Sequence, residues 1–155
     1  IVLRNILADS SMAGIVSVDG EQSPFFILSV VSFGDTFAGM LAWETAMPRD
    51  LAGLFPPYPV PLPEIVATST GATSSQAVSA KQTKKPATTT PPAPVFVPAF
   101  RDEIIANHDV RVYRDAEGRS VLLYGYWDQS TLVIARDPAA FAEVLGRLAT
   151  SRAQK

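Results

Sequence analysis

The stretch PFFILSVVSFGDTFAGMLAWETAMPRDLAGLF, residues 24–55, decides the fold because a strand pattern passes directly into a helix pattern within it. Residues 25–31 are almost continuously apolar, which is typical of a strand that is central in a sheet. From Asp35 onward, apolar side chains recur at three- and four-residue spacings, as on one side of an amphipathic helix. The members of this stripe are Phe37, Met40, Leu41, Trp43 and Met47. The stretch therefore predicts a strand that is followed at once by a helix.

The predicted helix has a signal at each end. The side-chain oxygen of Asp35 can accept from the first unpaired backbone N–H groups, so we expect this residue to cap a helix over residues 35–46. Pro48 cannot donate to the helical hydrogen bonds and disfavours helical dihedral angles at Met47, which predicts a break there. We expect a short second turn over residues 49–54 that folds the chain back onto the core.

A hairpin is predicted just before this stretch. Residues 12–18, MAGIVSV, lead into Asp19-Gly20, a pair that favours tight hairpin turns because both positions tolerate positive φ. Residues 25–31 are the expected partner strand. Residues 1–8, IVLRNILA, fit the end of a helix better than a strand. Because the chain starts at Ile within an apolar segment, we interpret it as a fragment or a processed product.

Residues 56–98 differ sharply in composition, since they hold 10 of the 13 prolines among many Ser, Thr and Ala residues. Such a segment lacks the large apolar side chains that offset the entropy lost on ordering, so we expect a disordered tether over residues 57–94. It could serve as a spacer, a glycosylated stalk or a docking ligand of the PxxP kind, with residues 57–62 and 91–94 as candidates. We favour a tolerated loop insertion, because long surface insertions cost little free energy.

A second series of strands follows the tether. An ordered pattern resumes at residues 95–100, and the predicted strands are residues 110–114, 120–127 and 131–135. Asp137-Pro138 then opens a helix, with a capping carboxylate before a proline at the first helical position. The apolar stripe of this helix consists of Phe141, Val144, Leu145 and Leu148.

The order of strand, turn, strand and helix thus occurs twice, and Phe141 corresponds in the second unit to Phe37 in the first. Two ββα-like units can join their strands in one sheet with both helices on one face. We therefore predict a single α+β domain over residues 1–155, with a mainly antiparallel sheet of about five strands and both helices on one face. The long disordered insertion separates the two units, and both phenylalanine rings are expected to be buried.

Composition excludes several function classes. The formal net charge is −2, and the one compact basic cluster, Lys81, Lys84 and Lys85, lies in the tether, so we expect no nucleic-acid partner. No cysteine is present, which excludes disulfides and thiol catalysis. No apolar run approaches the roughly 20 residues that a membrane-spanning helix needs. The sequence also lacks the common catalytic and phosphate-binding motifs.

His108 is the single histidine, and carboxylates lie near it in the sequence at Asp102, Glu103 and Asp109. A histidine beside carboxylates can act as a general base or bind a metal ion. A zinc or iron site needs further ligands, and without a second histidine or a cysteine we expect neither a metal site nor a cofactor. We favour ordinary turn chemistry for Asn-His-Asp. The alternative is a small hydrolase that uses the carboxylates around His108.

Tyr124 and Tyr126 are the candidate residues for contact with a partner. Strand alternation places both rings on the same side of the sheet. Aromatic side chains on an open sheet face can anchor a protein partner, whereas the simpler interpretation is cross-strand packing within the fold. If the second face of the sheet is open, these two tyrosines form its contact patch.

Two stretches of the chain resemble a known family. They are residues 25–44, FFILSVVSFGDTFAGMLAWE, and residues 100–135, FRDEIIANHDVRVYRDAEGRSVLLYGYWDQSTLVIA. Together they resemble an uncharacterised family of membrane-anchored bacterial envelope proteins, in which the FAGML-WE helix and the VLLY hairpin recur. The resemblance covers nearly all of the chain except the tether. It implies an extracytoplasmic location and a membrane segment upstream of these residues, and it carries over no catalytic residue.

These observations together favour a non-enzymatic interaction or scaffold module of the bacterial cell envelope. The expected partner is a protein, and the membrane is involved only through the upstream segment. No catalytic, cofactor-binding or metal-binding residue is predicted, and the small hydrolase is kept as the alternative.

Overall fold

The computed structural model of this chain describes residues 6–59 and 96–153, and of residues 7–9 it describes the backbone alone. In chain order the elements are the strands β1 (Ile6–Val18) and β2 (Glu21–Val30), the helices α1 (Phe33–Trp43) and α2 (Met47–Asp50), the strands β3 (Ala99–Ile105), β4 (His108–Arg114), β5 (Ser120–Asp128) and β6 (Thr131–Ala135), and the helix α3 (Pro138–Ala153). All of these elements belong to one compact unit. Beyond Pro59, the tether predicted over residues 57–94 lies outside the described residues.

The six strands form one antiparallel sheet in the order β1-β2-β6-β5-β4-β3. Residues 25–29 of β2 pair with residues 131–135 of β6, so the two halves of the chain meet in the middle of the sheet. At the β1–β2 turn, Asp19 and Gly20 take φ angles of 51° and 86°, as a tight hairpin turn requires. The predicted α+β class with a mainly antiparallel sheet and the Asp19-Gly20 turn are confirmed.

The helices lie on opposite faces of the sheet, which corrects the prediction that both cover one face. On the first face, called the α1 face, Leu122 and Tyr124 pack in one cluster with Met40 of α1. On the second, called the α3 face, Leu123 packs in another cluster with Phe141 of α3. The physical reason is that successive residues of β5 and β6 are apolar, so each face must be covered by a helix.

The two hairpin-helix units are therefore not equivalent, although their order along the chain is as predicted. If two-fold symmetry related the two units, the axis that exchanges the antiparallel neighbours β2 and β6 would be perpendicular to the sheet. Both helices would then lie on the same face, which is not what the structure shows. Phe141 is fully buried, whereas Phe37 is 38% exposed. The expectation that both rings are buried is thus confirmed for Phe141 and wrong for Phe37, because α1 turns Thr36 and Met40 toward the sheet instead.

Two predicted helix boundaries are also wrong. Residues 6–8, expected at the end of a helix, belong to β1, which shifts register against β2 between Leu7 and Met12. An edge strand tolerates such an irregularity because only one of its sides is paired. Helix α1 begins at Phe33, and the Ser32 hydroxyl accepts from the backbone N–H of Asp35 at 3.4 Å. Ser32 is therefore the cap, and Asp35 lies in the first turn.

The predicted break near Pro48 is confirmed, but the first helix ends before residue 46 and the second begins before residue 49. Helix α1 ends at Trp43, and Pro48 lies in the first turn of the short helix α2. The indole N–H of Trp43 donates to Asp50 Oδ2 at 2.9 Å, which joins the two helices. The chain then turns back and buries Phe55 on the α1 face.

Both borders of the segment 60–95 are anchored at the β4–β5 turn. The ring of Tyr58 lies 4.8 Å from the guanidinium carbon of Arg119 and 4.6 Å from that of Arg136. The ring of Phe96 lies so close to Gly118 that a Cβ at this glycine would be 3.2 Å from it. Tyr58 and Phe96, which border this segment in the sequence, therefore lie at the same corner of the fold.

Candidate functional site

Two exposed aromatic rings and one partly buried ring form a cluster along α1. The rings of Phe33 and Phe37 stack with centroids 5.8 Å apart. The ring of Tyr126, from β5, meets Phe33 edge-on at 4.7 Å and lies 6.3 Å from Phe37. Phe33 is 42% exposed and Leu41, one turn beyond Phe37, is 39% exposed. We call Phe33, Phe37, Leu41 and Tyr126 the aromatic patch.

The helical repeat explains why this patch faces solvent. Phe33, Phe37 and Leu41 are spaced by four residues and therefore line one flank of α1. Thr36 and Met40 occupy the side of the helix that faces the sheet and are fully buried. The apolar stripe of α1 is thus wider than its contact with the sheet, and its outer flank remains uncovered.

Tyr126 lies at the border between the patch and the core. Its ring packs beside the buried residues of the α1 face, while its hydroxyl is buried and finds no hydrogen-bond partner in the described part of the chain. Burial raises the pKa of Tyr126 to about 12. The phenol therefore stays neutral at physiological pH, and this residue contributes apolar contact instead of proton transfer.

Tyr124, the other predicted contact residue, lies in the core. It is 1% exposed, and its hydroxyl donates to Glu44 Oε1 at 2.8 Å. Burial raises the pKa of Tyr124 far above its ordinary value, and the Glu44 carboxylate raises it further. Because α1 covers this part of the sheet, only Tyr126 of the two tyrosines reaches the surface.

A partly buried ion pair fixes the end of α1 that carries Leu41. Arg111 on β4 donates to both carboxylate oxygens of Glu44 at 2.7 Å, and it also donates to Asp102 on β3 at 2.9 Å. Hydrogen bonds to the Glu44 carboxylate raise the pKa of Arg111 above its ordinary value. Such a two-pronged contact has a defined geometry, so it positions the helix against the sheet.

His108 opens β4 and contacts backbone and aromatic groups. Its Nδ1 lies 3.1 Å from the carbonyl oxygen of Tyr126. Its ring lies 5.4 Å from the ring of Trp127, which packs beside the core of the α3 face. These are the contacts of a packed side chain at the end of a hairpin.

The carboxylates of the predicted alternative site do not converge on His108. Asp102 is bound by Arg111, and Glu103 accepts from Arg114 at 2.6 and 2.7 Å. Asp109 follows His108 directly along the strand, so the two side chains point to opposite faces of the sheet. The geometry therefore does not assemble the histidine-carboxylate pair that a hydrolase of this kind would need.

Other site types find little support in the structure. Among residues 6–59 and 96–153, no three His, Asp or Glu side chains are grouped so that they could hold a metal ion. No helix within these ranges is both long and apolar enough to cross a membrane. A shallow depression is lined by Glu143, Gly146, Arg147, Thr150 and Ser151. All of them belong to α3, and one helix cannot enclose a substrate.

Sequence reasoning missed Phe33, because the predicted helix began at Asp35. The signal that could have found it is the spacing of four residues from Phe33 to Phe37 and again to Leu41. The chain matches no family model, and the searches of curated proteins and of solved structures also gave no match.

Proposed function

We propose that this chain is a non-enzymatic interaction or scaffold module and that the aromatic patch is its contact surface for a protein partner. The observation that carries the proposal is the stacked pair of Phe33 and Phe37, which lies at the surface against Tyr126. Exposed rings gain free energy when a partner removes them from water. Contiguous apolar surface on a folded domain therefore points to an interaction site.

The patch also has the rigidity that a binding surface needs. Tyr126 supports both phenylalanine rings from below, and the pair of Glu44 and Arg111 fixes the end of α1. Side chains that are already ordered lose less entropy when a partner binds. Aromatic residues in such positions commonly supply most of the binding free energy of an interface.

A photo-reactive phenylalanine analogue at position 37, in the protein as it is expressed in cells, tests this function. We expect one discrete cross-linked species, which Phe33→Ser should strongly reduce because it removes half of the stacked pair. The matched control places the same analogue at Ala149, an exposed position on α3. Cross-linking at position 37 that is no stronger than at position 149 would contradict the proposal.

The proposed location is the bacterial cell envelope, outside the cytoplasm, with a membrane segment upstream of these residues. This part of the proposal rests on the resemblance of residues 25–44 and 100–135 to membrane-anchored envelope proteins. Because the chain contains no cysteine, Ala139→Cys on the exposed side of α3 provides a single reactive thiol. It should react with a membrane-impermeant maleimide in intact cells, and reaction only after lysis would contradict the location.

A further inference from the structure

The α1 face of the sheet is covered on one half and open on the other. Its buried side chains lie on β2, β5 and β6, and they are Val30, Leu122, Tyr124, Leu132 and Ile134. On β3 and β4 the same face carries Ile104, which is 76% exposed, and Asp102, whose side chain is 88% exposed. At the other end of these two strands, Phe100 and Tyr113 are partly buried against the core of this face. The exposed Asp109 lies opposite Ile104 in the β3–β4 pairing. The flank of α1 therefore borders a strip of sheet that no element of the described residues covers.

The open strip has the dimensions of a seat for one helix. Neighbouring strands are about 4.8 Å apart, so β3 and β4 together expose a strip about 10 Å wide. A helix has a diameter of about 10 Å and packs beside another at an axial distance of about 8–10 Å. A helix on this strip would meet Ile104 below it and the flank with Phe33, Phe37 and Leu41 beside it.

The floor of this strip is acidic. Asp102 and Asp109 are exposed, and Glu44 lies at its border. The guanidinium of Arg111 is shared between Glu44 and Asp102, while Asp109 has no ion pair within residues 6–59 and 96–153. The strip and its border thus carry three carboxylates and one guanidinium, so their net charge is negative. A basic partner that covers this strip is attracted by these carboxylates, whereas an acidic partner is repelled by them.

We infer that the seat formed by β3, β4 and the flank of α1 binds a basic amphipathic helix of a partner protein. This inference rests on the proposed function and adds the chemistry of the partner. The apolar side of that helix covers Ile104 and the aromatic patch, and its Lys or Arg side chains reach Asp102 and Asp109. An anionic membrane surface does not fit the seat, because the same carboxylates would repel it.

Two designed peptides test the charge and the shape of the occupant. One is an amphipathic helix of Leu and Lys, and the other is the same helix with Glu in place of Lys, each about 15 residues long so that an isolated helix can form. Fluorescence anisotropy with the whole chain should show saturable one-to-one binding of the Lys peptide and no binding of the Glu peptide. Equal binding of both peptides would overturn the inference.

A pair of double variants separates the seat from general charge attraction. Asp102→Asn with Asp109→Asn should weaken binding of the Lys peptide about tenfold, since two surface charge contacts are lost. The control is Asp19→Asn with Glu21→Gln, which removes the same charge at the exposed β1–β2 turn and should leave binding unchanged. Equal weakening in the two double variants would overturn the inference, as would co-sedimentation of the chain with phosphatidylglycerol vesicles that depends on Phe37.

Cross-linking distinguishes a failure of this inference from a failure of the proposed function. The photo-reactive analogue placed at Ile104 should yield the same species in cells as the analogue at Phe37. Cross-linking from position 37 alone would overturn the helix seat and leave the interaction function intact. Cross-linking from neither position would overturn both.

Discussion

Phe141 occupies the centre of the core between α3 and the sheet. Its ring is fully buried, and Gly125 on β5 makes room for it, since a Cβ at this glycine would lie 2.9 Å from Phe141 Cζ. Phe37, its counterpart along the sequence, keeps more than a third of its surface in solvent. The two rings should therefore contribute very differently to stability.

Phe141→Ala should lower the free energy of unfolding by about 3–5 kcal/mol, through lost apolar burial and the cavity left behind. Phe37→Ala should lower it by less than about 1 kcal/mol, because that side chain fills no closed space. Urea unfolding of the two variants measures the difference. Similar losses in both would show that Phe37 is packed as tightly as Phe141, contrary to the structure.

Tyr124 and Tyr126 should make stability fall as the pH rises above about 10, the ordinary pKa of tyrosine. Burial raises the pKa of Tyr126 to about 12 and that of Tyr124 beyond it. Above the unfolded pKa, the unfolded chain releases protons that the folded chain keeps, so the stabilisation is complete below about pH 10 and is lost above it. Urea midpoints across this range should fall less steeply for Tyr126→Phe than for the parent chain; identical slopes would count against the buried hydroxyl.

Each long helix is held to the sheet by a polar contact near one end. At the start of α3, Asp137 accepts from the backbone N–H of Ala140 at 2.8 Å and from the hydroxyl of Ser23 on β2, also at 2.8 Å. Ser23 is buried, so this contact joins the helix to the sheet across the two halves of the chain. At the end of α1, Glu44 has the corresponding role through Arg111.

Asp137→Ala should destabilise the fold by about 1–2 kcal/mol, because a helix cap is lost. It also leaves the buried Ser23 hydroxyl without its acceptor. The matched control is Asp35→Ala, since the sequence predicts both aspartates as caps while only Asp137 is one. The control should lower the free energy of unfolding by only a few tenths of a kcal/mol, because it removes only a favourable charge from the first turn of a helix. Thermal melts of both variants would contradict this assignment if Asp35→Ala were the more damaging.

The whole fold is one sheet assembled from two separate parts of the chain. β2 and β6 are neighbours within it although residues 60–95 lie between them in the sequence. Tyr58 and Phe96 anchor the two borders of that segment at adjacent residues, Arg119 and Gly118. The described fold therefore does not require the segment to have its present length.

Replacement of residues 60–95 by a linker of about six Gly and Ser residues should preserve cooperative unfolding. It should raise the free energy of unfolding by about 1–2 kcal/mol, because a shorter loop loses less entropy on closure. Circular dichroism and urea unfolding of the shortened chain measure both effects. A shortened chain without a cooperative transition would show that the fold requires the segment.

The local sequence was sufficient to predict the structure wherever a short pattern is compatible with only one backbone conformation. Asp19-Gly20 predicts the tight turn because both residues accept positive φ, and Pro48 predicts the break because proline cannot donate. The apolar runs that became β2, β5 and β6 were found for the same reason. β3 did not emerge as a full strand because Arg101, Asp102 and Glu103 interrupt its apolar pattern, as charges often do on an edge strand.

What the sequence by itself determined is which residues share a side of each element, since the repeats of strand and helix depend on local geometry alone. Only the tertiary structure decided which side is covered. α1 and α3 follow similar hairpins and carry similar stripes, but the central strands need cover on both faces, so the two helices take opposite ones. That arrangement buries Tyr124 and Phe141, leaves Phe33 and Phe37 at the surface and places Tyr126 at the border between surface and core. Burial depends on neighbours that are distant in the chain, and no local pattern carries that information.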